Sequence, residues 1–187
     1  RISVQSDADN SMRFFILSFI GDDRPGFVHE ITDVVSRYEG SWLESRMIRL
    51  GGKFAGLARV SATNEQAAML EGALSSLAQG RFSLIIKAAE PHARLESKQY
   101  TLDILGNDRP GILNEITRAL VEHGINLTEV SSTVAPAAMS GVPMFSCNAN
   151  IEVEPSLSMS VVDEQLTEIA DSLAIDILLE ETQAEQV

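Results

Sequence analysis

A ten-residue segment occurs twice in this chain. Asp23-Arg24-Pro25-Gly26-Phe27-Val28-His29-Glu30-Ile31-Thr32 returns 85 residues later as Asp108-Arg109-Pro110-Gly111-Ile112-Leu113-Asn114-Glu115-Ile116-Thr117, with seven of the ten positions identical. Self-similarity at this spacing marks a duplicated structural unit and constrains the architecture before any local detail is weighed. The 187 residues then divide into two modules of about 80–90 residues each, an ordinary size for a small domain.

The two halves read alike. An apolar strand over 14–20, and again over 100–105, leads into the Asp-Arg-Pro-Gly turn. Pro25 and Pro110 suit the first turn of a helix, where a missing N–H costs nothing. Helical spacing follows, through Phe27, Ile31, Val34, Val35 and Tyr38 in one copy and Ile112, Ile116, Ala119, Leu120 and His123 in the other. Gly40 and Gly124 stand where a helix-ending glycine belongs. Second strands are expected over 42–50 and 127–134, and third strands over 54–62 and 144–153. A second amphipathic helix carries Met69, Leu70, Ala73, Leu74 and Leu77, or Val162, Leu166, Ile169 and Leu173, with Asn64 and Ser160 as its caps. Strands over 82–88 and 175–180 close the halves.

The order β-α-β-β-α-β is the ferredoxin-like motif, an α+β fold whose antiparallel sheet carries both helices on one face. The domains run 12–90 and 99–181, joined by a linker over 91–98, with polar ends at 1–11 and 182–187. The halves differ between strands two and three. A Gly51-Gly52-Lys53 turn serves the first half, whereas 135–143, with Pro136, Gly141 and Pro143, reads as a longer loop and a candidate contact surface.

Charge is as unevenly distributed as the loops. The chain has 14 Lys+Arg against 27 Asp+Glu, a formal −13, yet residues 1–118 hold all 14 bases with 15 acids. The last 69 residues hold 12 acids and no base. This balance argues against direct nucleic-acid binding, which depends on cations neutralising phosphates, and against docking on anionic membranes. Local acidity suits solubility or a basic partner protein. Apolar runs fall far short of the roughly 20 residues of a membrane span, and nothing resembles a secretion signal. A soluble cytoplasmic protein is expected.

The repeated turn sits between a strand and a helix N-terminus, where free backbone N–H groups suit a carboxylate or phosphate. Gly26 and Gly111 allow a ligand close to the main chain. Asp23 and Asp108 could pair with an ammonium group, so that each turn suits a zwitterionic amino acid, or could simply cap the helix. Both readings stand on the residues alone.

A β-α-β-β-α-β unit opening Asp-Arg-Pro-Gly, with His123-Gly124-Ile125-Asn126-Leu127 running into strand two, resembles an ACT domain. ACT domains are regulatory modules that commonly bind amino acids between paired domains. Glu44-Ser45-Arg46-Met47 and the 135–145 loop further resemble the glycine cleavage system transcriptional repressors, which are two ACT domains and little else. The resemblance implies a ligand between the first turn and the start of strand two of a paired domain: Asp23, Arg24, Pro25 and Gly26 with Trp42, and Asp108, Arg109, Pro110 and Gly111 with Asn126. Asn126 matches the family's frequent asparagine, while Trp42 departs from it. It implies a non-enzymatic regulator binding a small amino acid such as glycine, acting on a LysR-type transcriptional activator, and it allows a homodimer. Similar ACT units also occur in phosphoserine phosphatases, formyltetrahydrofolate hydrolases and nucleotidylyl-transferases, so an allosteric fragment of a larger enzyme is the alternative. A scaffold that has lost its pocket is a third.

Other chemistry finds little support. His29, His92 and His123 lack the spacing of a metal pair, and Cys147, the lone cysteine, excludes an internal disulfide and reads as a buried strand residue. No phosphate-binding glycine loop, zincin motif or nucleophile elbow is present. No metal or cofactor is expected.

Overall fold

The computed structural model describes residues 11–90 and 96–182, which form two compact units dividing between Ala93 and Arg94. Unit 1 contains β1 (Met12–Asp22), α1 (Phe27–Arg37), β2 (Ser41–Leu50), β3 (Lys53–Thr63), α2 (Asn64–Ala78) and β4 (Ser83–Ala89). Unit 2 repeats the order with β5 (Lys98–Asn107), α3 (Ile112–Glu122), β6 (Asn126–Pro136), β7 (Pro143–Val153), α4 (Met159–Leu173) and β8 (Ile175–Glu181). The sheets are antiparallel, with strand orders β2-β3-β1-β4 and β6-β7-β5-β8. The ferredoxin-like α+β fold is thus present twice.

Period-two alternation builds each core. On β1, Phe15, Leu17 and Phe19 point inward with Val60 and Ala58 of β3, and meet Ile31, Val35, Leu70 and Leu74 of the two helices. In unit 2, Leu102, Ile104, Ile151 and Cys147 meet Ile116, Leu120, Val162 and Leu166. Burial pushes the Cys147 thiol above its ordinary pKa, and the nearby Asp103 carboxylate adds to the effect. Cys147 is therefore a neutral core residue at neutral pH.

Several details differ from the sequence expectations. The α2 cap is Thr63, whose hydroxyl accepts from the Gln66 amide at 3.3 Å, and Asn64 is the first helical residue. Ser158, two residues before Ser160, precedes α4. The loop expected over 135–143 is shorter, because β6 runs to Pro136, β7 starts at Pro143, and these prolines face each other. The linker stretch 91–95 and most of the two ends lie outside the described residues.

The end of α1 holds the clearest correction. Gly124 takes a left-handed conformation after α3 (φ 68°), but its structural counterpart in unit 1 is Glu39 (φ 55°), not Gly40. Gly40 is needed for a different reason: a Cβ there would come within 2.9 Å of the Val35 carbonyl oxygen. An L-residue pays about 1–2 kcal/mol in the left-handed region, offset by the roughly 0.5–1 kcal/mol of extra backbone freedom a glycine loses on folding. Glu39→Gly should therefore stabilise unit 1 by a few tenths to about 1 kcal/mol. The denaturation midpoint checks this, and an unchanged or lower midpoint would remove strain at Glu39 from the account.

The helix-free sheet faces differ sharply between units. Following the register across unit 1, one row reads Glu44–Arg59–Ile16–Lys87, and the next Arg46–Leu57–Ser18–Ile85. The matching rows of unit 2 read Glu129–Asn150–Thr101–Glu180 and Ser131–Asn148–Asp103–Leu178. One face is apolar and cationic; the other is hydroxylic and acidic.

Candidate functional site

The repeated turn has the same backbone in both units. In unit 1, Gly26 lies at φ 85°, ψ −5°, and the Phe27 amide donates to the Arg24 carbonyl at 3.4 Å. Proline followed by left-handed glycine is the pairing a type II turn requires. Gly111 repeats this conformation at φ 92°, ψ 0°. Neither helix has a side-chain cap, so Asp23 and Asp108 do not serve as caps, and each turn instead ends on glycine. The amides of the first helical turn are left without the partners an interior residue has. The Asp108 amide donates to the Pro143 carbonyl at 2.9 Å, fixing the turn to the start of β7, as Asp23 to Gly52 (3.3 Å) does in unit 1.

Side chains around the turns diverge. In unit 1, Asp23 pairs with Arg49 Nε at 3.0 Å. Arg24 donates to both carboxylate oxygens of Glu30 (3.0 and 2.8 Å), lies over the Phe27 ring at 5.7 Å, and shares Glu30 with Arg81 at 2.7 Å. Hydrogen bonding from Arg24 holds the Glu30 carboxyl below its usual range, and Asp22 is lowered likewise by Lys53. A groove of about 510 Å³ opens beside these groups, lined by Asp22, Lys53, Arg81 and Phe82. The cations around this turn, Arg49, Lys53 and Arg81, were not visible as site residues in the sequence, since strand register brings the first two to it and the connection between α2 and β4 brings Arg81.

Unit 2 lacks that closure. Val134 stands where Arg49 stands and Ala174 where Arg81 stands, while Glu115 is taken by Arg118. Among the described residues, the side chains of Asp108 and Arg109 have no hydrogen-bonding or ionic partner. The repeated turn is therefore occupied by the protein's own charges in unit 1 and open in unit 2.

Within its own unit neither Trp42 nor Asn126 lies at the turn; the expected site joins each turn to strand two of a paired domain. Asn126 shares a row with Glu152 and Gln99 at the start of β5, whereas Asp108 follows the end of that strand. Eight residues of strand separate them, roughly 27 Å at about 3.4 Å per residue. Nor is Trp42 the counterpart of Asn126. Ser41 is, and Trp42 matches Leu127, both packing against their unit's core. Each lies beside a bulge in the β2 or β6 ladder, between Trp42 and Glu44 or between Leu127 and Glu129.

The double β-α-β-β-α-β fold with its glycine-ended first turn defines a tandem module of the ferredoxin-like class. Family models described as ACT domain match residues 13–88 and 100–158, and the chain belongs to the ACT-domain family. It is similar to a protein of unknown function from Galdieria sulphuraria, at 27% identity and TM-score 0.83, covering 92% of this chain and all of that one. A protein proposed as a glycine cleavage system transcriptional repressor has the same fold at 18% identity and TM-score 0.69, covering 92% of this chain and 98% of the other. A 77-residue stretch, 41% of this chain, is 27% identical to UPF0237 protein MK1213 of Methanopyrus kandleri and covers 80% of it. No helix among the described residues is long and apolar enough to cross a membrane.

Proposed function

We infer that the chain is a non-enzymatic regulator that binds a small amino acid at the Asp108–Gly111 turn. The observation that carries this reading is the pair of unpartnered side chains there, Asp108 and Arg109, beside the α3 N-terminus. An amino acid presents a carboxylate and an ammonium a few ångströms apart. Arg109 and the free amides suit the first, and Asp108 suits the second. The equivalent groups of unit 1 already neutralise one another, which disfavours a ligand there. ACT domains suggest amino-acid-binding regulation, and the repressor-like neighbour in fold supports glycine as the ligand and control of glycine cleavage genes as the output. With a formal charge of −13 and no Lys or Arg after Arg118, that control passes through a protein such as a LysR-type activator rather than through DNA contact.

Thermal unfolding in the presence of each of the twenty amino acids tests this. A ligand at 100 times its dissociation constant stabilises by about 2.7 kcal/mol. Glycine or another small amino acid should raise the melting temperature of the wild type and of Asp23→Ala. Asp108→Ala and Arg109→Ala should melt normally without ligand and lose the shift. If no amino acid moves the transition at millimolar concentration, or if Asp108→Ala responds like the wild type, the reading fails.

A further inference from the structure

We propose that the open sheet face of unit 1 in one copy packs on the open sheet face of unit 2 in a second copy, giving a reciprocal homodimer. This does not rest on ligand binding. The unit 1 face exposes Ile20, Ile48, Leu57 and Ile85 at 48–60% of their surface, a contiguous aliphatic area that water does not favour. Among the described residues five cations lack an ionic partner, and three of them, Arg46, Arg59 and Lys87, lie on this one face. Arg59 lies over the Phe14 ring at 5.2 Å, with its Nε buried and without an acceptor.

The chain carries its own complement. The unit 2 face holds Asp103, Glu129, Glu152, Asp176 and Glu180 and no cation, whereas the unit 1 face holds Arg46, Arg59 and Lys87 with Glu44, and the paired Lys53 and Asp22 at its end. Its centre is a concavity of about 650 Å³ bounded by Asp103, Asp176 and the half-exposed Leu105 and Leu178. Like faces would repel, while unlike faces match in charge and offer aliphatic residues to each other. A two-fold axis makes both unlike contacts at once. Four strands about 4.8 Å apart and seven residues at about 3.4 Å give roughly 450 Å² per face. The four faces of the reciprocal pair then bury roughly 1,800 Å², within the range of stable dimers.

Charge reversal in full-length chains tests the pairing. By sedimentation, the wild type should form a dimer of twice 20.3 kDa, and Arg46→Glu/Arg59→Glu and Asp103→Lys/Asp176→Lys should each be monomeric. In a mixture of the two variants each reversed face meets a complementary one, and the dimer should return. That recovery also shows that both variants are folded. A wild type that stays monomeric at every concentration, a dimer that survives both reversals, or a mixture that remains monomeric overturns the proposal.

Discussion

Gly106→Ala should destabilise unit 2 by about 1–3 kcal/mol or more, although it adds a single methyl group. Gly106 lies in β5, between β7 and β8, opposite Ile175. A Cβ there would sit 2.4 Å from Ile175 Cγ2, 2.8 Å from its Cβ and 3.1 Å from its Cα. The last two atoms are fixed by the backbone, so no rotamer of Ile175 relieves the clash. The equivalent residue, Gly21, faces the edge of the Phe27 ring at 2.9 Å and Phe82 Cβ at 3.0 Å, and the ring can tilt away. Gly21→Ala should therefore cost less than Gly106→Ala in urea unfolding. The reverse order would show that strand separation, not side-chain freedom, decides the cost.

Leu17→Ala should remove about 2–5 kcal/mol from unit 1, the cost of a buried leucine and the cavity it leaves. Leu17 is wholly buried on β1, flanked by Ala58 of β3 and Ile86 of β4. A domain of this size is stable by only about 4–13 kcal/mol at roughly 0.05–0.15 kcal/mol per residue, so the variant would sit near its unfolding threshold. Leu50→Ala, at a residue 76% exposed at the end of β2, should change stability by no more than about 0.5 kcal/mol. Equilibrium denaturation of the two variants compares them directly. Similar losses would mean that the inward face of β1 is not the core that organises the unit.

The sequence alone made the fold legible for a physical reason: period-two and helical spacing were imposed twice on the same template. Phe27, Ile31, Val34 and Val35 stand out as a buried stripe without any knowledge of tertiary contacts. The ends were harder, because they depend on single backbone angles. Gly40 follows α1 as Gly124 follows α3, yet only Gly124 takes the left-handed position, and Glu39 fills that role in unit 1. Thr63 and Asn64 are both good cap residues, and it is the Thr63 hydroxyl that accepts from the Gln66 amide.

The turn was legible as a motif but not as a state. Its glycine conformation follows from Pro-Gly, whereas Arg49 and Arg81 reach it only through pairing with β3 and through the connection before β4. Glu30 is within the repeat itself, but its carboxylate serves Arg24 and Arg81 while its counterpart Glu115 serves Arg118. Identity across the repeat therefore hid the difference that separates the two turns. The opposed charge of the sheet faces was hidden for a similar reason, since it emerges only after four strands are set in register.

The two β-bulges have a consequence for how the chain avoids clumping. β2 and β6 are outermost strands, whose unpaired backbone groups offer a template to any other extended chain. The bulges beside Trp42 and Leu127 break the regular spacing of those groups and twist the strand locally. β2 adds Glu44, Arg46 and Arg49 along its length, and β6 ends in Pro136, which has no N–H to donate. The irregularity that follows Trp42 and Leu127 thus guards each newly folded unit against the unwanted strand addition from which amyloid-like aggregates grow.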